Sequence, residues 1–593
     1  MKGYGLSVFA GTKIERFGVE VIGISRNMNP QQDVVLISTN GMNLEHTGSV
    51  AGMSGSPIYL TDEQGRTRML GAYAYGWPLA KDPIAGVQPI EYMLQINTAR
   101  SSTLDDARAA VPASGMAATS TTVTPTARTI STWSAEAWRR QVDDMVHGPV
   151  RPAVSEGGNS LAKLSTPVMV SGVPDSVMEL IAPMFARYGA MLVSAGSGSG
   201  GGIAQAFPES NTAPNMQPVE FAPGGAMVVP VMTGDVGFTA LGTITEVIGD
   251  RVFGFGHPMF SEGAVELPLG GGYVNLVIPR ITNSFKMGGM TSLAGTLHSD
   301  EQSGVAGLLG KAPTMIPIEV HVHYADGSLD RTYRFNAIRH PQMTGAMAGA
   351  ALMLSAGSVK QLPENALISH EVEYQFSGDR KVNLSNIVPT DQQSILMMDA
   401  MGPIAAAMVN PFERIKLEKM TARITITSNS YPSEVRRVLT DRSTYKPGET
   451  VRLSTIVREH LGSERVVAME LKLPADLPEG SHDIEVSDAD EYVLAEMSRR
   501  PDLFMATNGD DVLKVVQRAV GPKRDQLFAT IELPGSGISV GRMGLQHMPG
   551  SKRQVLLRQA KPDVGQTTYA ASTSTSAGAF VRGGARITIT VKR

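Results

Sequence analysis

The run Gly52-Met53-Ser54-Gly55-Ser56-Pro57 sets one serine hydroxyl among small residues. Such a backbone can curl until the amides of Gly52 and Ser54 converge on one point, where the oxyanion of a tetrahedral intermediate could sit. Glycine supplies the positive φ or close approach this requires, and Pro57 fixes the exit into the next strand. The pattern is that of a nucleophile turn for acyl transfer, with Ser54 attacking; Ser56 need only be small and is read as structural. The competing reading is an ordinary Gly/Ser turn between two strands.

A serine hydroxyl is a poor nucleophile until a base takes its proton, and imidazole does this near neutral pH. His257, in Phe255-Gly256-His257-Pro258, is the candidate base. It ends a strand pattern, between a glycine and a proline that can present it to a cleft. Its rival, His46, lies eight residues before Ser54, across a turn in the same run. A histidine in a β-rich chain can also be a purely structural polar group.

The flanks carry a resemblance. Upstream are Gly11-Thr12-Lys13-Ile14-Glu15-Arg16-Phe17-Gly18-Val19 and Thr47-Gly48-Ser49-Val50-Ala51; downstream are Gly71-Ala72-Tyr73-Ala74-Tyr75 and Asp82-Pro83-Ile84-Ala85-Gly86. Together these resemble the SpoIVB-type serine peptidase family. A second block, Gly242-Thr243-Ile244-Thr245 and Phe253-Gly254-Phe255-Gly256-His257, followed by Ser284-Phe285-Lys286 and Gly295-Thr296, is similar to the part of that family that bears its general-base histidine. In the family the histidine half comes first; here the order is reversed. The resemblance therefore implies a circularly permuted chymotrypsin-like double β-barrel, with Ser54 as nucleophile, His257 as base, and the amides of Gly52 and Ser54 as oxyanion hole.

The third member of a triad is not settled by the resemblance. The family's acid falls on Thr39, followed by Asn40, and neither can carry the negative charge that holds an imidazolium. Asp33, Glu45, Glu262 and Glu266 are conceivable substitutes; a Ser-His dyad aided by Thr39 or Asn40, and an inactive site, both stay open. In chymotrypsin-like enzymes a strand roughly twenty residues after the nucleophile pairs with the extended substrate. Here that strand contains Ala72, Tyr73, Ala74 and Tyr75, its two tyrosines sharing a face by period two. What the resemblance implies is a serine endopeptidase acting on protein or peptide substrates, self-processing included, without cofactor or metal. The alternative is a catalytically inactive peptidase fold used as a binding or scaffold protein of the cell envelope.

Composition narrows the field. The 593 residues suit three or four domains, and 42% hydrophobic content is ordinary for a globular chain. A net charge of -4 without a basic block argues against a nucleic-acid partner. With 62 glycines, 36 prolines and 6% aromatics, turn-rich β structure is favoured over helical bundles. The absence of cysteine removes thiol chemistry and disulfides, and 11 histidines without metal-site spacing give metal catalysis no support. No run approaches the ~18 consecutive apolar residues of a membrane span; the most apolar, Met343 to Ala356 and Ile395 to Val409, are read as buried helices, the second interrupted by Asp399. A strand pattern starts at once, Met1 to Phe9, with no export leader. In the proteins this chain resembles, a similar segment lies inside the mature chain behind such a leader, which implies an extracytoplasmic location in a bacterium.

The elements that must position Ser54 and His257 divide as follows. Residues 1–100 read as consecutive short strands, a barrel half carrying the nucleophile that cannot close alone. Residues 101–218 read as linker and helical insertion, with a flexible stretch at Ala113–Ala127 and helices over Ala135–His147 and Pro174–Tyr188. Within it, Ser194–Gly202 reads as an exposed crossing open to nicking rather than a phosphate loop, since the Gly-Lys-Ser/Thr ending is missing. Residues 219–345 form the barrel half carrying the base, 346–418 a mixed helical connector, and 419–593 a β-sandwich of immunoglobulin-like pattern with a helical insert, a kind of module that engages protein partners. Ala422–Thr427 recurs at Ala585–Thr590, which predicts two similar strands in one sheet.

Overall fold

In the computed structural model, the structure describes residues 1–29, 31–77, 79–97, 133–147, 161–195, 221–357, 362–363, 365–428, 430–460, 462–545, 549–558 and 564–593. The predicted linker at 113–127, and the glycine-serine crossing from 196 onward, lie outside the described residues. The protein is mainly β and divides into two compact units. The first takes in residues 1–125, 144–318 and 334–351; the second takes in 126–143, 319–333 and 352–593.

The first unit opens with β1 (Lys2–Val8), β2 (Ile14–Asn29), β3 (Gln32–Asn40), β4 (Val50–Ala51), β5 (Pro57–Thr61), β6 (Thr67–Gly76) and β7 (Ile84–Pro89). Six of these pair in the order β5-β1-β2-β3-β7-β6, and β6 pairs back onto β5, so the ring closes. Alternation drives it: Phe17 and Val19 turn inward while Glu20 faces solvent, and Phe17, Ile37, Ile58, Tyr73 and Val87 share one core.

Further strands of this unit are β8 (Ala162–Lys163), β9 (Thr166–Ser171), β10 (Ala190–Ser194), β11 (Ala226–Gly234), β12 (Gly237–Ile248), β13 (Arg251–Gly254), β14 (Gly263–Ile278), β15 (Ser284–Glu301) and β16 (Gly304–Leu309). A second ring runs β12-β13-β16-β15-β14-β11 and closes through β11 on β12. β9 extends it at β12, with β10 parallel to β9. The helix Asp175–Ala186 lies between those two strands in sequence, and its Phe185 stacks on Phe238 of β12 at 5.8 Å.

The first ring corrects the expectation that residues 1–100 could not close alone, and the second closes likewise. The reason is strand length: β2 and β14 have 16 residues and β15 has 18, and their pairings step through several bulges. Bulges and glycines let one strand bend round a barrel corner and serve both ends of it, so a count of short runs understates closure.

In the second unit, strand Leu417–Ser428 pairs with Ala366–Phe376, which pairs with Arg380–Pro389. Two other sheets, one around Ser433–Thr440, Thr450–Glu459 and Glu464–Lys472 and one around Gly480–Ser487, Gln526–Val540 and Ala585–Val591, pack over a common core that includes Val451, Leu471, Ile484, Leu527 and Ile589. Helices Ala489–Arg499 and Gly509–Val520 begin at Asp488 and Asn508, whose side chains accept the amides of Glu491 and Asp511. Trp133–Ser134 pairs with Met505–Ala506, which ties the start of the Ala135–His147 helix to this unit. The similar runs at 422–427 and 585–590 belong to different sheets, not one: period-two alternation fixes which side chains turn inward but not the neighbour. No helix among the described residues is long and apolar enough to cross a membrane.

Candidate active site

The turn after β4 is built from both rings. Its Met53 side chain is buried, and Gly52 and Gly55 have φ of 94° and 97°. Within the first ring the Met53 amide donates to the Val50 carbonyl (3.0 Å), Ser56 N–H to Met53 O (2.8 Å) and Gly55 N–H to Tyr73 O (2.8 Å). From β12 of the second ring, Thr243 N–H donates to Ser54 O (2.8 Å), Thr243 Oγ1 to Gly52 O (2.9 Å) and Thr245 Oγ1 to Gly55 O (2.8 Å). A Cβ on Gly55 would lie 2.0 Å from Thr243 O, so only glycine allows this docking. β4 also runs parallel to the start of β15, Val50 beside Ser284 and Ala51 beside Phe285. The Ser54 amide has no acceptor among the described residues and is free to donate to an oxyanion.

His257 enters from the second ring. After β13 the chain turns through Phe255 and Gly256, with φ of 63° and 67°. The left-handed region is strained for phenylalanine, and this bend aims the imidazole at the serine. Nε2 lies 2.8 Å from Ser54 Oγ, and Nδ1 lies 3.0 Å from the carbonyl oxygen of Pro258. Because a carbonyl can only accept, Nδ1 carries the hydrogen and Nε2 is left to accept the serine proton. Both residues are buried, Ser54 at 1% and His257 at 0% exposure.

The third position is thus filled by a backbone carbonyl. Thr39 and Asn40 do not meet His257: the Thr39 hydroxyl donates to Pro83 O at 3.1 Å, and Asn40 is exposed. The other carboxylates considered are elsewhere. Asp33 pairs with Arg26, Glu45 accepts the Gly41 amide, Glu262 faces His340 at 3.7 Å, and Glu266 lies on β14; His46 is exposed on a short helix.

Sequence reasoning missed two neighbours. Asp300, buried on β15, accepts the amides of Met259 (2.7 Å) and Phe260 (2.6 Å) and so fixes the loop that presents the Pro258 carbonyl. Burial raises its pKa, opposed by those amides. Lys163 Nζ donates to Tyr188 O (2.7 Å) and lies 3.4 Å from Pro258 O. Burial, then the Lys163 charge, push His257 down to about 3, against the Pro258 bond. Asp300 interrupts a β pattern, a signal in principle; Lys163 has none.

The expected substrate strand is half used. Tyr73 bonds the turn through both backbone groups, giving its N–H to Ser56 O (2.9 Å) and accepting from Gly55; Ala72 pairs with Pro57 and Gln88. A bulge between Tyr73 and Tyr75 also breaks their shared alternation, and their hydroxyls bond Ser49 and Gln88 respectively. Ala72 and Tyr73 are therefore unavailable to a substrate backbone.

Behind the turn lies a buried lysine. Lys286 Nζ donates to Ser7 Oγ at 2.7 Å, Ser7 Oγ is 2.8 Å from Ser56 Oγ, and the lysine stem packs on Gly52. Burial alone pushes its pKa down to about 7 from 10.5. Between these values the unfolded chain holds a proton that the native one has released, so this group makes stability rise with pH by about 1.4 kcal/mol per unit. Lys286→Met is expected to abolish that slope and to stabilise the protein most below pH 7. Urea unfolding at pH 6, 8 and 9.5 tests it; parallel pH dependences for variant and wild type would refute it.

Comparison with family models, with curated proteins and with solved structures finds no match to this chain.

Proposed function

We propose that the protein is a serine peptidase acting by acyl transfer, and that the two rings are the barrels of a chymotrypsin-like fold in exchanged chain order. The observation that carries the proposal is the 2.8 Å contact of Ser54 Oγ with His257 Nε2, made between two separately closed barrels with the imidazole tautomer fixed by Pro258. His257 takes the serine proton as Oγ attacks the peptide carbonyl; the Ser54 amide donates to the oxyanion. The imidazolium then protonates the leaving amine, and a water activated by the same nitrogen releases the acyl group. A carbonyl dipole stabilises the imidazolium less than a carboxylate does, so a slow enzyme is expected. The two-sheet core of the second unit suits the immunoglobulin-like reading and a role in holding a protein partner.

The test is covalent labelling by a fluorophosphonate. Wild type is expected to label at one serine and Ser54→Ala not at all; equal labelling of the two, or none of either, would remove Ser54 as an activated nucleophile. The second reading, a silent peptidase fold used for binding, is favoured by one observation: Ser54 and His257 are both sealed from solvent.

A further inference from the structure

Near the turn, the free edge of β6 is covered by part of the chain itself. β5 covers β6 only as far as Ala72, which leaves the edge at Ala74–Gly76 beyond it. That edge is the part of the expected substrate strand not tied into the nucleophile turn, and it is occupied. β8 runs antiparallel along it, Lys163 opposite Tyr75 and Ala162 opposite Gly76, and Leu164 N–H donates to Ala74 O at 3.0 Å. This is the pairing an extended peptide makes when it adds to a sheet edge, backbone bonds giving affinity and side-chain pockets specificity.

The side chains fit as a bound peptide's would. Leu164, 8% exposed, joins the cluster of Val50, Met53, Tyr73 and Ala85 beneath the nucleophile turn. Gly76 makes room for it: a Cβ there would stand 3.1 Å from Leu164 Cδ2. Leu161 packs on Val34, Ala74 and Tyr75. Lys163 reaches the carbonyl that orients His257. Beside Leu164 a cavity of about 60 Å³ remains, bordered by Ser49, Gly76 and Arg280, well below the roughly 300 Å³ of the smallest ligand pockets.

We propose that Leu161–Ser165 is an intramolecular substrate mimic that keeps the groove filled, and that the peptides the site accepts are extended chains with a leucine-sized aliphatic residue where Leu164 lies. The chemistry of those peptides rests on the acyl-transfer reading; the occupancy of the groove does not. Displacing the segment opens the edge of β6 and uncovers the serine together.

The binding arm uses the full-length chain carrying Ser54→Ala, with and without Leu164→Ser, and a fluorescein-labelled peptide of sequence Ser-Leu-Ala-Lys-Leu-Ser-Thr, matching residues 160–166. Anisotropy is expected to report binding at least about tenfold tighter to the double variant, since a pre-occupied site binds only in the fraction of molecules where it is free, and freeing it raises apparent affinity by the inverse of that fraction. A peptide with aspartate in place of the second leucine should not compete. In the catalytic arm, Leu164→Ser with Ser54 intact should label with fluorophosphonate about tenfold faster than wild type. If Leu164→Ser does not fold, as judged by its melting curve, Leu161→Ser loosens the same strand and replaces it. Equal binding by both proteins, or by neither while both fold, overturns the inference even if Ser54 labels. Selective binding with no labelling in any variant upholds the filled groove and overturns the acyl-transfer reading instead.

Discussion

His257→Gln is expected to slow fluorophosphonate labelling of Ser54 by roughly three to four orders of magnitude, with the fold intact. Removing the base of an activated serine costs up to about 10⁶ where a carboxylate completes the triad. Here the starting rate is lower, because Pro258 O stands in for that carboxylate, so less remains to lose. Glutamine can still pair with Ser54 Oγ but cannot take its proton. Wild-type labelling should also persist well below the usual histidine range. With His257 pushed down to about 3, its nitrogen stays neutral through mildly acid solution, and the acid limb should lie near pH 3 to 4. The same depression means that stability from this group is complete above about pH 6.5 and falls as the pH drops towards 3. Labelling rates from pH 4 to 8 provide the check. A limb centred at the ordinary histidine value, or a His257→Gln protein that labels like wild type, would show that His257 is not the base.

Asp399→Ala should destabilise the second unit by about 3–5 kcal/mol, the usual consequence of leaving a buried partner unpaired. Asp399, on the helix Gln393–Val409, is held by Arg524 through both oxygens at 2.7 and 3.0 Å, with His370 Nε2 at 3.1 Å. Burial alone would raise its pKa, but the Arg524 charge and the His370 bond outweigh it and hold the carboxyl well below the usual range. The stabilisation is present above the unfolded value of 3.8 and lost as pH falls below it. Alanine strands the buried Arg524 guanidinium beside its weaker partner Asp490 at 3.6 Å. Urea unfolding followed by tryptophan fluorescence reads this directly, since Trp138 Nε1 donates to Gly402 O on the same helix. A shift of less than about 1 kcal/mol, the range of an exposed pair, would mean the triad is not a buried anchor.

The turn around Ser54 was legible because small residues stand there in a fixed order, and His257 because glycine and proline bracket it. Asp399 was visible too, as a lone charge in an apolar run, though not what it would meet. The Pro258 carbonyl was not legible. Every residue has a carbonyl, so a contact made by one leaves no mark in the sequence; Thr39 and Asn40 were considered because the acid of the resembled family falls there. Nor could Ala162–Lys163 be seen as a strand: two residues have no periodicity, and what holds them is an edge of β6 far away in sequence. Barrel closure was hidden by bending, since glycines such as Gly270, Gly271 and Gly272 read as turns yet lie inside one 16-residue strand.

The order of the pieces along the chain has a consequence during synthesis. Ser54 and His257 are 203 residues apart, so at ordinary ribosomal speeds His257 leaves the ribosome about 10–40 s after Ser54. All six strands of the first ring lie within residues 2–89, so they leave the ribosome before the segment that covers the edge of β6. Leu161–Ser165 emerges between the two. On the acyl-transfer reading proposed above, the edge is then covered before His257 arrives, and a newborn chain would not hold an open groove and a complete serine–histidine pair at once.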